Sequence, residues 1–249
     1  LSGTVPRQAG TFDIAAVVQA YLDWQESNDR ADKTMMKYRD VLNRFAAHCH
    51  AAGMRLMHAI SVQTVDEFGV RRRRDGMAAK TVYTELTIVR QWLNFAVTRR
   101  MLTMSPVAGT KLVKPKPGPR DYWRENQLDS ILEASRGPYK PAFVLMAETG
   151  MRVGEVIHLA WDDLMLDGRN PVAHIRPKEV VPGARPWRPK NGEERAVPLS
   201  PRAVAMLRTL PRRRRWVIDR MNGTTATADQ PANDRHILAY LKTVLAKLG

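Results

Sequence analysis

The segment Gly109–Pro119 limits most sharply what this chain can fold into, because its eleven residues include three prolines, three lysines and two glycines. Proline removes a backbone donor and fixes φ, and it pushes the residue before it out of the helical region. Such a stretch can neither continue a helix nor sit inside a sheet, so it reads as an extended basic linker. The 249 residues then divide into a part at 11–108, a linker at 109–121 and a part at 122–249. Each part is of ordinary domain size.

The first part reads as four helices. Phe12 to about Ser27 sets Ile14, Val18, Tyr21 and Leu22 on one face. Thr34 is the expected N-cap of a second helix ending near Gly53, with Tyr38, Val41, Leu42 and Phe45 aligned. A third, shorter helix is expected from Val62 to Arg72. The fourth runs from about Ala79 to Leu102, with Val82, Leu86, Val89, Leu93, Ala96 and Val97 at spacings of three and four. Lys80, Glu85, Arg90 and Asn94 lie on its other side, and Ser105-Pro106 is expected to stop it. Trp24, Trp92 and Trp161 fall in helical patterns and are expected in the core.

In the second part, helices are expected at Asn126–Ala134, Pro141–Glu148 and after Gly150. Short strands are expected between Pro171 and Leu199, where Val172, His174, Ile175, Val180, Val181, Ala196, Val197 and Leu199 flank turn residues. A helix at Pro201–Leu210, a strand at Trp216–Ile218, a loop at Asn222–Ala232 and a last helix at Ile237–Leu248 follow. Within this part, TGMRVGEVIHLAWDDL (Thr149 to Leu164) sets Arg152 between two glycines at the mouth of an apolar helix. Gly150 permits a sharp turn. A helix start at Val153 or Gly154 would turn unpaired N–H groups toward the guanidinium, and together these would hold an anion. A lone arginine between glycines is otherwise a solvated cap.

Thr149, Gly150, Arg152, Gly154, Glu155, Leu159, Trp161 and Asp163 fit the pattern T-G-x-R-x-G-E followed by L-x-W-x-D. In these residues the chain resembles the tyrosine recombinases, the phage integrase family. Thr34, Tyr38, Leu42 and Phe45 also look like that family's T-x3-Y-x3-L-x2-F spacing. The resemblance implies a mainly α protein with a small β component. It would have an N-terminal helical core-binding (SAM-like) domain and an α+β catalytic domain, closing on DNA like a clamp.

The resemblance assigns Arg152 to the non-bridging oxygens of a scissile phosphate. A guanidinium suits this task because it stays charged and offers parallel donors. Loss of one such preorganised group costs roughly 10²–10³ in rate. Glu155 is expected to support the site by holding a nearby arginine or backbone group. PKNGEERAVPL (Pro189 to Leu199) is similar to the family's hairpin lysine followed by x4-R-x-V-P-L. Lys190 is thereby the expected general acid for the departing 5′ oxygen, at the mouth of a hairpin turned by Asn191-Gly192. A lysine near its ordinary pKa of about 10.4 is a poor acid at neutral pH, so a neighbouring cation would have to lower it. Lys178 is the competitor in a less matched context, and Arg195 supports the hairpin or a phosphate.

The formal net charge is +15, with 15 Lys and Arg against 10 Asp and Glu in residues 1–108 and 25 against 15 in 109–249. Basic residues spread over both parts suit double-stranded DNA, although RNA-binding and ribosomal proteins share this composition. Arg71, Arg72, Arg73 and Arg74, and likewise Arg212–Arg215, cover roughly 300° of a helix, so each run is a helix end or loop. With Lys80, Arg90, Lys114, Lys116 and Arg195, the first run supplies the candidate DNA contacts. His48, His50 and His58 read as surface histidines, and Cys49 stands alone, so neither a disulfide framework nor a cysteine metal site is expected. No cofactor, metal or membrane partner is expected, and a cytoplasmic location is.

The family also uses an H-x-x-R box and a nucleophilic tyrosine. No H-x-x-R occurs here, His236 is followed by Ile-Leu-Ala, and none of the six tyrosines fits, Tyr240 lying inside the last helix. The chain, which begins at Leu1, is expected to stop short of those residues. Two functions follow from the resemblance. One is strand cleavage and rejoining through a 3′-phosphotyrosyl link in a complete protein, with tetrameric self-association on DNA. The other is a non-catalytic DNA-binding fragment or regulator. A related type IB topoisomerase is a third, less fitting reading.

Overall fold

The computed structural model describes residues 11–119, 121–180, 186–190, 192–218, 231, 232 and 234–248, the side chain of Asp234 excepted. The chain divides into two compact units, Leu1–Pro119 and Arg120–Gly249. Among the described residues no helix is long and apolar enough to cross a membrane.

Among the described residues the first unit holds four α-helices, α1 (Ile14–Ser27), α2 (Asp32–Ala51), α3 (Val62–Arg74) and α4 (Ala79–Thr98), with a short 3-10 turn at Met57–Ala59. Asp13 caps α1 by accepting from the Ala15 and Ala16 amides. Helix α2 starts earlier than expected, at Asp32, so Thr34 lies inside its first turn rather than at its cap. Ser61 and Thr64 cap α3 reciprocally. All four arginines of the first run belong to the last turn of α3, a favourable place for cations beside a helix C-terminus.

Helix α4 ends at Thr98, before Ser105-Pro106. Arg100 turns left-handed at φ 57° and the Met101 amide returns to the Ala96 carbonyl, so the stop is a local C-cap and not the proline. The core gathers Tyr21, Leu42, Phe45, Phe68, Trp92 and Leu93. Burial pushes the Tyr21 hydroxyl up to about 12, where it accepts from Gln25 at 2.7 Å. His48 is not a surface residue: it is half-buried against Phe45 and Phe68.

Glu85 departs most from the sequence pattern. Expected on the polar side of α4, it is 4% exposed. Arg72 donates to both its oxygens, from Nε at 2.7 Å and Nη2 at 3.1 Å, while Arg44 stands 3.6 Å away. A buried carboxylate needs such donors, because removing it from water unpaired is costly. The pairing also holds the Arg72 guanidinium above its already high value.

The second unit is α+β. Helices α5 (Glu125–Ala134) and α6 (Tyr139–Thr149) precede the short α7 (Val153–Ile157). Strands β1 (Leu164–Met165), β2 (Val172–Ile175) and β3 (Arg195–Pro198) form an antiparallel sheet in the order β1-β2-β3. Helices α8 (Pro201–Thr209) and α9 (Asp234–Leu248) complete it. Helix α6 packs against α5, α7, α8 and α9, around a core that includes Leu132, Leu145, Leu159, Ala173 and Leu207.

Three local expectations change here. Helix α7 stops at Ile157, Ala160 is extended, and Trp161–Asp163 forms a 3-10 turn; the Trp161 amide donates to the Arg215 carbonyl and the Leu159 carbonyl accepts from the Val217 amide. Trp216 is a single β-bridge to Ala160 rather than a strand. Val180 lies outside any strand. Val181, Asn191 and most of the expected loop at Asn222–Ala232 lie outside the described residues.

Candidate functional site

Helix α6 ends at Gly150, whose φ of 66° no side-chain-bearing residue adopts cheaply, and the chain reverses into Arg152. Arg152 is extended and forms the N-cap of α7. Glu155, three residues on, turns its carboxylate back over that end. It accepts the Arg152 amide on Oε2 at 2.9 Å and Arg152 Nη1 on Oε1 at 3.0 Å. The i,i+3 spacing puts both on one face of the turn.

A third group arrives from the sheet. Arg195, the first residue of β3, donates Nη1 to Oε1 at 3.1 Å and Nη2 to Oε2 at 2.7 Å. This parallel two-point contact is the geometry in which a guanidinium fits a carboxylate best. Glu155 is 2% exposed, and burial by itself raises its pKa. The hydrogen bonds from Arg195 and Arg152 outweigh burial and hold the carboxyl below its ordinary value. The same contact holds the Arg195 guanidinium above its ordinary value.

One carboxylate thus faces two guanidiniums, and the cluster keeps a net positive charge. Arg152 is 52% exposed, and among the described residues its Nε and Nη2 make no hydrogen bond. It is fixed by the carboxylate yet open to an incoming anion. With only five residues, α7 adds little dipole of its own, so the attraction comes from the arginines rather than from the helix end anticipated above.

Lys190 follows from the sheet register. Ile175 pairs with Arg195 at the end of the β2–β3 ladder, and a separate bridge beyond it joins Lys178 with Trp187 through both backbone bonds at 2.9 and 2.8 Å. Two residues, Arg176 and Pro177, therefore stand against seven, Arg188 to Glu194, so the return arm bulges out. Lys190 is exposed on this bulge, after the buried Pro189, whose carbonyl accepts the Gly192 amide at 2.8 Å. The Pro189–Gly192 turn is thus a turn within one arm and not the hairpin reversal.

Lys178 is otherwise engaged. It is 6% exposed and donates to Asp163 Oδ1, where Arg176 Nε also donates at 2.7 Å. The other oxygen of Asp163 accepts the Ala160 amide at 2.9 Å. Asp163 is fully buried, and its task is to tie β2 to the segment after α7.

The remaining candidates separate. Lys80 lies over the Tyr83 ring at 5.1 Å. Arg71, Arg73 and Arg74 are exposed, and the half-buried Arg72 is committed to Glu85 and to Asp75 at 3.0 Å. Arg90 donates to the Val107 carbonyl, the Thr110 carbonyl and the Thr110 hydroxyl, pinning the start of the linker to α4. Lys114 and Lys116 are exposed. Tyr240 stacks on Tyr139 with centroids 3.7 Å apart, and its hydroxyl accepts the Arg136 amide. Among the described residues no cluster of His, Cys, Asp and Glu could hold a metal.

Sequence reasoning did not single out Trp187 or His158. Their rings stack at 4.3 Å and 8°, with Trp216 edge-on to His158 at 5.9 Å. Two residues 29 positions apart leave no periodic signal that would join them.

In sequence and in fold the chain is similar to known recombinases and integrases. Over 177 residues it is 26% identical to "Tyrosine recombinase XerC" of Vibrio vulnificus (strain YJ016), a match covering 69% of this chain and 51% of that protein. Over 204 residues it is 23% identical to a "Putative integrase/recombinase" of Haemophilus influenzae, covering 78% and 61% respectively. The chain therefore spans about half the length of the XerC relative. Among solved structures, a lambda integrase dimer bound to a COC′ core site aligns with a TM-score of 0.67 at 17% identity, over 95% of this chain and 63% of that one. The Tn1549 transposon integrase in complex with a circular intermediate DNA aligns at 0.69 and 14% identity, over 94% and 78%. These two likenesses establish the fold. The model of the phage integrase family matches residues 121–249, more than half of the sequence, and the chain belongs to that family.

Proposed function

We propose that this chain binds duplex DNA and supplies two phosphate-directed groups to site-specific DNA recombination or integration by its full-length protein. The observation that carries the reading is the half-exposed Arg152, held by the buried Glu155 that Arg195 clasps from β3. Such a guanidinium is preorganised for a phosphodiester, and its bonds strengthen as charge grows on the phosphoryl oxygens. In the reaction, a tyrosine oxygen forms a bond to phosphorus and gives up its proton to a base of the full-length protein. The P–O5′ bond breaks, and the departing oxygen takes a proton from Lys190. The 249 residues contain no H-x-x-R, so the second arginine and the nucleophile belong to the full-length protein in this reading. Self-association on DNA belongs there too, and a DNA partner carries the expectation of a cytoplasmic site of action.

The test has two arms. The 249-residue chain should bind duplex DNA with an affinity falling about 10³–10⁵-fold between 50 and 200 mM salt, as expected for six to ten phosphate contacts. In the full-length protein, a nicked DNA substrate should trap a covalent protein–DNA adduct. Arg152→Ala should abolish the adduct while weakening binding only modestly. Salt-independent binding would remove the DNA reading, and an adduct surviving Arg152→Ala would remove the role of Arg152.

A further inference from the structure

Helix α7 touches the Lys190 bulge at both of its feet. Downstream, Arg195 is clasped by Glu155 in the middle of α7. Upstream, Trp187 lies flat on His158, the C-cap residue of the same helix. His158 is itself held, with Nδ1 2.7 Å from the Gly154 carbonyl and its ring edge-on to Trp216. Trp187 is further fixed by its two backbone bonds to Lys178, whose ammonium is buried on Asp163. Between these feet, Lys190 stands exposed on a seven-residue excursion that the ladder alone would not hold.

From this juxtaposition we infer that Trp187 is a positioning residue for Lys190, its stack on His158 fixing the upstream foot of the bulge relative to the helix that Arg152 caps. One five-residue helix then sets the phosphate-binding arginine at its N-terminus and both ends of the lysine's support. Without the stack, the upstream foot keeps its two backbone bonds to Lys178 but loses its direct tie to α7. A proton donor displaced by about 1 Å loses on the order of 10²-fold in rate. The inference rests on the reading of Lys190 as the donor to the departing 5′ oxygen.

The experiment measures single-turnover adduct formation by the full-length protein on two nicked substrates, one with the natural 5′ oxygen and one with sulfur in that bridging position. A thiolate leaves without a proton, since a thiol has a pKa of about 8.5, so the sulfur substrate bypasses the general acid. Trp187→Ala should slow the oxygen substrate about 10²-fold and be restored to within about threefold of the unaltered protein on the sulfur substrate, in parallel with Lys190→Ala. Trp187→Phe, which keeps a stacking ring, should retain most activity. His158→Ala removes the stack from the other side and should repeat the Trp187→Ala pattern, even if Trp187→Ala proves too unstable to assay. If Lys190→Ala is rescued by sulfur and neither stack variant is, Trp187 serves the fold and the inference is overturned. If Lys190→Ala itself is not rescued, the acid assignment fails and the inference falls with it. An unaltered protein that forms no adduct on either substrate would instead overturn the proposed function as a whole.

Discussion

Replacing Glu155 by glutamine isolates the charge at the centre of the site while keeping its shape. The carboxylate accepts four hydrogen bonds, two on each oxygen. An amide turns one oxygen into a donor, so two of the four are lost whichever way it settles. Hydrogen bonds to charged groups contribute roughly 1.5–3 kcal/mol each, which puts the gross loss at about 3–6 kcal/mol. Arg195 and Arg152 are 39% and 52% exposed, so water takes up much of what the amide gives back. Halving for that screening leaves about 1.5–3 kcal/mol. For a unit of this size that is a fall of roughly 5–15 °C in its melting transition.

The assay is calorimetric or circular-dichroism unfolding of Glu155→Gln, Arg195→Met and the double variant. Because both single changes break the same contact, the double variant should lose less than their sum. Additive losses, or a shift under about 2 °C for Glu155→Gln, would refute the view of Glu155 as the tie between α7 and β3. Acid titration gives an independent check. With the folded pKa below the ordinary value of 4.5, the unfolded state binds more protons in that range and stability rises with pH. The contribution is complete above the ordinary glutamate range and is lost as pH falls through the lowered folded value. Glu155→Gln should flatten the stability profile below pH 4.5 and leave its slope above unchanged.

Three further outcomes follow from the same structure. Glu85→Ala strands Arg72 beside α4 and should destabilise the first unit by about 3 kcal/mol, read by urea unfolding; an unchanged midpoint would mean the pair contributes nothing. Gly150→Ala meets no atom within 4 Å and has only the backbone to strain at φ 66°, so it should cost about 1–2 kcal/mol; a neutral result would mean the turn relaxes out of the left-handed region. Cys49 is buried and its thiol is pushed up to about 11 by burial; at pH 8 it should react with a disulfide reagent at least about 100-fold slower than free cysteine until denaturant is added, and fast labelling of the native chain would contradict its burial.

Helices with a regular apolar stripe could be read from the sequence to within a few residues, because 3.6-residue periodicity is a local property. The stop of α4 was misread because a left-handed cap at Arg100 leaves no mark that competes with a nearby proline. Glu85 was misread for a related reason: periodicity assigns a charge to the solvent side, and only the distant Arg72 makes its burial tolerable. In the site, Arg152 and Glu155 lie within one turn and their relation is visible as spacing. The Arg195 contact crosses 40 positions, and the bulge depends on a change of ladder register after Pro177, neither of which any local pattern encodes. Lys190 was reachable only through family resemblance, since an exposed lysine beside a turn is otherwise unremarked.

The Arg90 tie to Val107 and Thr110 fixes where the basic linker leaves α4. The anchored chain ends at Thr110, and from Lys111 to Pro119 the side chains are exposed except for the half-buried Leu112 and Pro115. At about 3.1 Å per residue for a proline-rich strand, those nine residues reach roughly 28 Å. If both units bind one DNA molecule, as proposed above, a spacer of that reach holds the second at millimolar effective concentration once the first is bound. Releasing Arg90 would add only a few residues to the tether and change that concentration little. Exchanging the prolines for a soft glycine-rich run would alter stiffness at constant length, and with it how strongly the first binding event favours the second.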